Sequence, residues 1–243
     1  MTCFILAETN VFVKKILAVI FTLFSIINCS AQENIQKKNH LTNNIIERFH
    51  VLKDNEQIKD GFYQAIYKRK TAIASGNYTK GKKTGVWYFY SPYGAVLQTY
   101  NYSKDSLQYE AREDTTSNLR YLIDKEIRDT DKVTKPIKAG GRYYGYLPYL
   151  GLYKIPFNPY VYGTPNCIAV IELLISPLGR LAEYRVRAAC AVFDYDQTIT
   201  MNVNLFKEED KRFIPATYNG KPVLSRIIIK CRVTDDGGLD FYY

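Results

Sequence analysis

The residue types that most often carry chemistry are sparse in this chain. Among its 243 residues are two histidines, His40 and His50. That number excludes a multi-histidine metal centre, and a nucleophile–histidine pair would have to use one of these two. His40 lies in a polar stretch and His50 on an expected strand beginning Phe49-His50-Val51-Leu52, so exposure is the ordinary reading of both. Two carboxylate pairs, Asp194/Asp196 and Asp235/Asp236, are of a kind that can share a proton or bind calcium. The first pair reads instead as a helix cap and the second as the start of a Gly237-Gly238 turn. We expect no catalytic residue, no metal and no cofactor, and hence no enzyme.

The cysteines point to a compartment rather than a reaction. Lys14 and Lys15 precede a largely apolar stretch over residues 16–27, followed by Asn28-Cys29-Ser30-Ala31-Gln32. A charged segment, an apolar segment and small residues describe a secretory signal peptide cleaved after Ala31. The apolar run is shorter than the roughly 20 residues a spanning helix needs. An uncleaved anchor, and lipoprotein processing at Cys29, remain as alternatives. Cleavage removes two cations and one anion (Glu8), so the mature chain keeps +8 of the net +9. It also leaves Cys167, Cys190 and Cys231, enough for one internal disulfide and one leftover thiol, or for three buried single cysteines.

Apolar residues make up 47% and charged residues 23% of the chain, which is a globular balance rather than that of a disordered or multi-span protein. The unusual count is 22 tyrosines; amphipathic rings suit half-buried strands. Export argues against nucleic acid as the partner of the basic surface, and a protein of the cell envelope, periplasmic or associated with the outer membrane, is expected instead.

The elements that must position these residues fall into two halves. After a signal peptide (1–31) and a polar leader (32–48), Asp60-Gly61-Phe62-Tyr63 recurs as Thr84-Gly85-Val86-Trp87, and Gly76-Asn77-Tyr78-Thr79-Lys80 as Tyr100-Asn101-Tyr102-Ser103-Lys104. Both recurrences have the same offset, 24 residues, which marks a repeat of hairpins over 49–110. The string from Gly76 to Leu97, with its Lys-Gly-Lys-Lys-x-Gly-x-Trp-x-Phe-Tyr core, resembles the MORN-like variant repeats of bacterial envelope proteins. The resemblance covers about residues 49–103 and implies an extended sheet used for contact, with Tyr78, Trp87 and Tyr90 as its repeat aromatics.

Residues 111–139 read as a charged connector containing a strand or two. Residues 135–165 hold five of the nine prolines and seven of the tyrosines, so they read as a linker or docking loop tethered by aromatic contacts. From Cys167 the pattern becomes regular. A strand over 168–176, a Pro177-Leu178-Gly179-Arg180 turn and an alternating strand over 181–188 predict a hairpin. Asp194 to Gln197 then offers a capping box, and Ile199, Val203 and Phe206 at helical spacing predict an amphipathic helix. A last strand over 223–233 turns Ile227, Ile229, Cys231 and Val233 inward and Arg226, Ile228, Lys230 and Arg232 outward. The expected fold class is therefore α+β: an antiparallel hairpin-repeat sheet, then a small split β-α-β domain (140–235, with a tail to 243) having a three-stranded antiparallel sheet and one main helix.

The string Phe213-Ile214-Pro215-Ala216-Thr217-Tyr218-Asn219-Gly220-Lys221-Pro222-Val223, in its strand-turn-strand-helix context, resembles the C-terminal domain of TonB-family proteins over about residues 140–233. Pro215 would end the helix, Asn219-Gly220 make the turn and Pro222 open the strand. At the end of that strand the family's usual Ile-Pro-Ile reads Ile229-Lys230-Cys231. The resemblance implies a periplasmic domain whose last strand is a free edge. There it would capture an extended segment of a protein partner, such as an outer-membrane receptor, through main-chain hydrogen bonds, with Arg226, Ile228, Lys230 and Arg232 facing the partner. The alternative is an energy transducer for outer-membrane transport that keeps its N-terminal anchor. A homodimer through the same edge is a further expectation.

Overall fold

The computed structural model describes residues 33–113, 117–154, 167–190 and 195–241. The signal segment, Asp194 of the expected capping box and the prolines at 156, 159 and 165 lie outside the described residues.

Seven strands form the first sheet in plain chain order: β1 (Asn34–His40), β2 (Ile45–Leu52), β3 (Asn55–Tyr67), β4 (Thr71–Thr79), β5 (Lys82–Tyr90), β6 (Val96–Asn101) and β7 (Ser106–Glu110). Every neighbouring pair is antiparallel. Two connections are two-residue loops, Lys53-Asp54 and Lys80-Gly81; the second has φ of +48° and +81°, and two positive angles in succession match the right-handed twist of the flanking strands. On the inner face, period-two alternation stacks Tyr63, Ile73, Trp87 and Phe89, all fully buried. Gly76 exists to make room there: a Cβ would fall inside the Trp87 ring. The polar leader expected over 32–48 is instead part of this sheet, as β1 and the start of β2. The polar β1 (Asn-Ile-Gln-Lys-Lys-Asn-His) has no apolar face for a sequence pattern to reveal, because it is an edge.

The second sheet contains β8 (Leu119–Ile123), β10 (Cys167–Ile175), β11 (Leu181–Cys190), β12 (Tyr195–Met201), β15 (Ser225–Val233) and β16 (Leu239–Phe241) in the order β12-β11-β10-β15-β16, with β8 also on β15. A third, minimal sheet joins β9 (Val133–Thr134), β13 (Thr217–Tyr218) and β14 (Lys221–Pro222).

The α+β expectation is overturned: strands account for 58% and helix for 6%, and among the described residues the one α-helix is the short α1 (Leu147–Gly151). The expected main helix is the strand β12, paired antiparallel with β11 from Tyr184↔Met201 to Cys190↔Tyr195. Thr198, Ile199 and Thr200 are β-branched and stiff at χ1, and the open edge of β11 offered them a ladder. The apolar residues Ile199, Val203 and Phe206 recur at helical spacing only because β12 is followed by a 3₁₀ turn, Val203–Leu205, capped by the Asn202 side chain on the Asn204 N–H.

A second correction concerns the last strand. β15 lies next to β10, which sits between β15 and β11, so that part of the arrangement is as the split motif requires. It is not an edge, however. β8 covers Ser225 to Ile229 and β16 covers Cys231 to Val233. The covering strands are short and come from a charged stretch and from beyond a Gly-Gly turn, and neither carries a strong strand pattern of its own.

Between the two sheets runs the Gly140 to Lys154 segment, expected as a linker. Its rings fill the core. Tyr144 stacks on Phe89 with centroids 5.7 Å apart and meets Tyr63 at 6.0 Å, while Tyr149 packs on Tyr184 and Phe206 at 6.0 and 4.7 Å. Buried Gln98 clamps it: its Oε1 accepts from the Gly140 and Gly141 N–H groups at 2.8 and 3.0 Å, and its Nε2 donates to the Lys138 carbonyl and Glu110. A buried amide with all these partners fixes the segment's position.

Candidate functional site

The outward side chains of β15 do face solvent, as their alternation implies, yet most of their charge is already engaged. Arg226 pairs with Asp124 at 2.7 Å and Glu172 at 3.1 Å, and Arg232 with buried Asp240 at 2.9 Å. Ile228 lies between Glu172 and Arg120 in the strand register, and Lys230 lies opposite Val170. These four residues share one sheet face, but their strand has no free backbone edge. Among the motif residues, Asn219-Gly220 makes the expected turn, with φ of +51° and +78°. Asn219 also donates to Asp131 and accepts from the Lys132 N–H, both at 2.8 Å, tying the connector to the third sheet. Pro222 does not open the last strand: it ends the two-residue β14 opposite Thr217, and β15 begins at Ser225. Pro215 ends no helix, because none precedes it; its ring lies against the Gly179 turn.

The repeat aromatics separate by face. Trp87 is in the core and donates its indole N–H to the Asn77 carbonyl at 3.2 Å. Tyr90 is on the opposite face, stacked on Tyr88. Tyr78 is on the inner face and lines a cleft of about 500 Å³. His40 and His50 lie on the neighbouring strands β1 and β2 but are not opposite one another, His40 facing Ile46 and His50 facing Gln36 in the register, and the His50 Nδ1 lies 3.0 Å from the Phe62 carbonyl oxygen.

The cleft opens where the inner face of the first sheet runs past the Tyr144 segment. Tyr63, Tyr78 and Tyr102 form its floor, with Tyr144 beside them, and Leu147 to Leu152 and the 205–210 turn form its rim. The Tyr144 hydroxyl donates to that of Tyr63 at 3.1 Å. Burial is the first cause that pushes the phenols of Tyr63, Tyr78, Tyr102 and Tyr144 up in pKa, so all four stay neutral.

Three ammonium groups enter the same space. Lys59 reaches Glu47 at 2.6 Å and lies over the Phe49 and Tyr63 rings at 4.2 and 4.8 Å. Lys83 reaches Glu209 at 3.1 Å and lies over Trp87, Tyr102 and Tyr144 within 5.8 Å. Lys138, whose pKa burial pushes down to about 8, donates to the carbonyls of Glu209, Asp210 and Arg212 at 2.7 to 3.2 Å. Burial raises the Asp210 carboxyl, whereas at Glu209 burial is outweighed by Lys83 and the carboxyl falls.

Of this cleft, the sequence singles out Tyr78 alone, as a repeat aromatic. One signal was present: on β5 the period of two puts Lys83 on the same face as Trp87 and Phe89, a cation inside an apolar row.

A second feature able to bind is a strand edge. β12 pairs only with β11 among the described residues, and over seven residues it carries no lysine, arginine, proline or bulge. Its one charge, Asp196, is taken by the Arg187 guanidinium, whose Nε donates at 2.8 Å. By contrast, the edge strand β1 carries Lys37 and Lys38.

In the second sheet Cys167 and Cys190, directly opposite on β10 and β11, form a disulfide, and Cys231 is a buried free thiol. Among the described residues no helix is long and apolar enough to cross a membrane. No protein-family model, no curated protein and no solved structure matches the chain.

Proposed function

We propose that this is a non-enzymatic, exported cell-envelope protein that binds an extended segment of a protein partner by strand addition, and that the acceptor edge is β12. The observation that carries the proposal is the composition of that edge: among the described residues β12 carries no lysine, arginine, proline or bulge. A row of unpaired backbone groups invites pairing, and folded proteins ordinarily blunt it with lysine, proline or a bulge. β12 has none of these, while β1 at the edge of the other sheet has two lysines. Strand addition uses main-chain hydrogen bonds for affinity and alternate side chains for specificity; here Thr198 and Thr200 stand exposed beside partly buried Ile199 and Met201. The disulfide supports export, since such bonds persist in oxidising compartments.

The test is a pair of edge variants. Thr198→Lys and Thr200→Lys place a guard charge on an exposed position without touching the core. Recovery of the partner in cross-linked envelope complexes should fall at least about tenfold, with the thermal midpoint unchanged within about 2 °C, as expected of surface substitutions. Unchanged recovery in both variants would reject the edge as the acceptor.

A further inference from the structure

The cleft under Tyr144 carries an inference independent of the β12 edge. Its volume of about 500 Å³ lies within the range of small-molecule sites, and its walls mix rings with a few convergent polar groups. What selects the ligand is the difference between its two ion pairs. Lys59 and Glu47 both come from the sheet floor, and the Glu47 side chain is only 7% exposed. That pair is part of the wall. Lys83 is also in the floor, with its side chain 14% exposed, but its partner Glu209 sits on the rim turn with its side chain 53% exposed. A solvated rim carboxylate is easily exchanged for another anion, since pairs of this kind contribute little. A buried ammonium without an anion is costly, so Lys83 demands a replacement when Glu209 leaves.

Charge sign points the same way. A cationic ligand would meet Lys59, Lys83 and Lys138 in one confined space, and the aromatic faces that could cage it already hold the first two lysines. An anion meets four lysines, Lys207 being the fourth, against the three carboxylates of Glu47, Glu209 and Asp210, together with neutral phenol hydroxyls able to donate. We infer that the cleft binds a carboxylate-bearing aromatic ligand, whose carboxylate replaces Glu209 on Lys83 while its ring lies among Tyr63, Tyr78, Tyr102 and Tyr144.

Three probes with one ring and three charges test this by titration calorimetry on the purified mature chain: N-acetyltyrosine (anionic), N-acetyltyrosine amide (neutral) and tyramine (cationic). The acid should bind about tenfold or more tighter than the other two. Glu209→Gln should tighten the acid about threefold to fivefold by removing the competing carboxylate, and Lys83→Gln should abolish the preference for it. Equal binding of amide or amine, no binding of any probe, or a preference that survives Lys83→Gln would each overturn the inference. Should Lys83→Gln fail to fold, Glu209→Gln still decides: an acid affinity that falls or stays the same is contrary to the proposal.

Discussion

Gly76 and Trp87 show how far a single residue can govern this fold. The indole covers the Cα of Gly76 so closely that no side chain fits between them. Gly76→Ala should therefore cost about 3 kcal/mol, the upper part of the usual overpacking range, measured by urea unfolding. Glu113 sets the acid limit at the same scale. Burial pushes its carboxyl upward, but hydrogen bonds involving Lys135, Ser117 and Tyr121 outweigh burial and hold it below its ordinary 4.5. A depressed carboxyl contributes stability that is present above its unfolded value and lost as pH falls through its folded one. Wild type should thus lose stability on acidification below about pH 4.5, and Glu113→Gln should show a shallower loss over that window. Parallel acid profiles for the two proteins would contradict this assignment.

At the scale of elements, the disulfide joins the central hairpin of the second sheet. It closes a loop with a sequence separation of 23, so replacing both Cys167 and Cys190 by alanine should cost about 3 kcal/mol in denaturant unfolding under oxidising conditions. A loss below about 1 kcal/mol would mean that the β10–β11 ladder needs no such tie. The elements also show what the sequence made legible. The repeat hairpins, the β10–β11 hairpin and the Asn219-Gly220 turn were readable because alternation and positive-φ residues are local signals. The helix expected over β12 was not a strand on paper, because Ile199, Val203 and Phe206 satisfy helical spacing by chance and the vacant edge of β11 is a tertiary fact. The free edge expected at β15 is absent for a similar reason: β8 and β16 are only five and three residues long, and nothing local in them tells which strand they pair with. The cleft was hidden because its parts come from segments as far apart as Leu41 and Asp210.

At the scale of the whole molecule, the two halves behave as one body around the Gly140 to Lys154 segment. Gln98 clamps that segment to the first sheet, and Asp240 of β16 links both sheets by accepting from Asn44 at 2.7 Å while pairing with Arg232. Such a frame leaves two kinds of opening, a cleft between the sheets and a strand edge at the side. The edge is where a partner's chain can add without disturbing the core. The most direct measurement is site-specific photo-cross-linking in the envelope of a Gram-negative host, with a photoreactive phenylalanine placed at Thr198. A discrete adduct to a second protein, absent when the probe is moved to β15 at Lys230, is the result expected. No adduct at Thr198, or adducts only between copies of this chain, would contradict partner binding at β12.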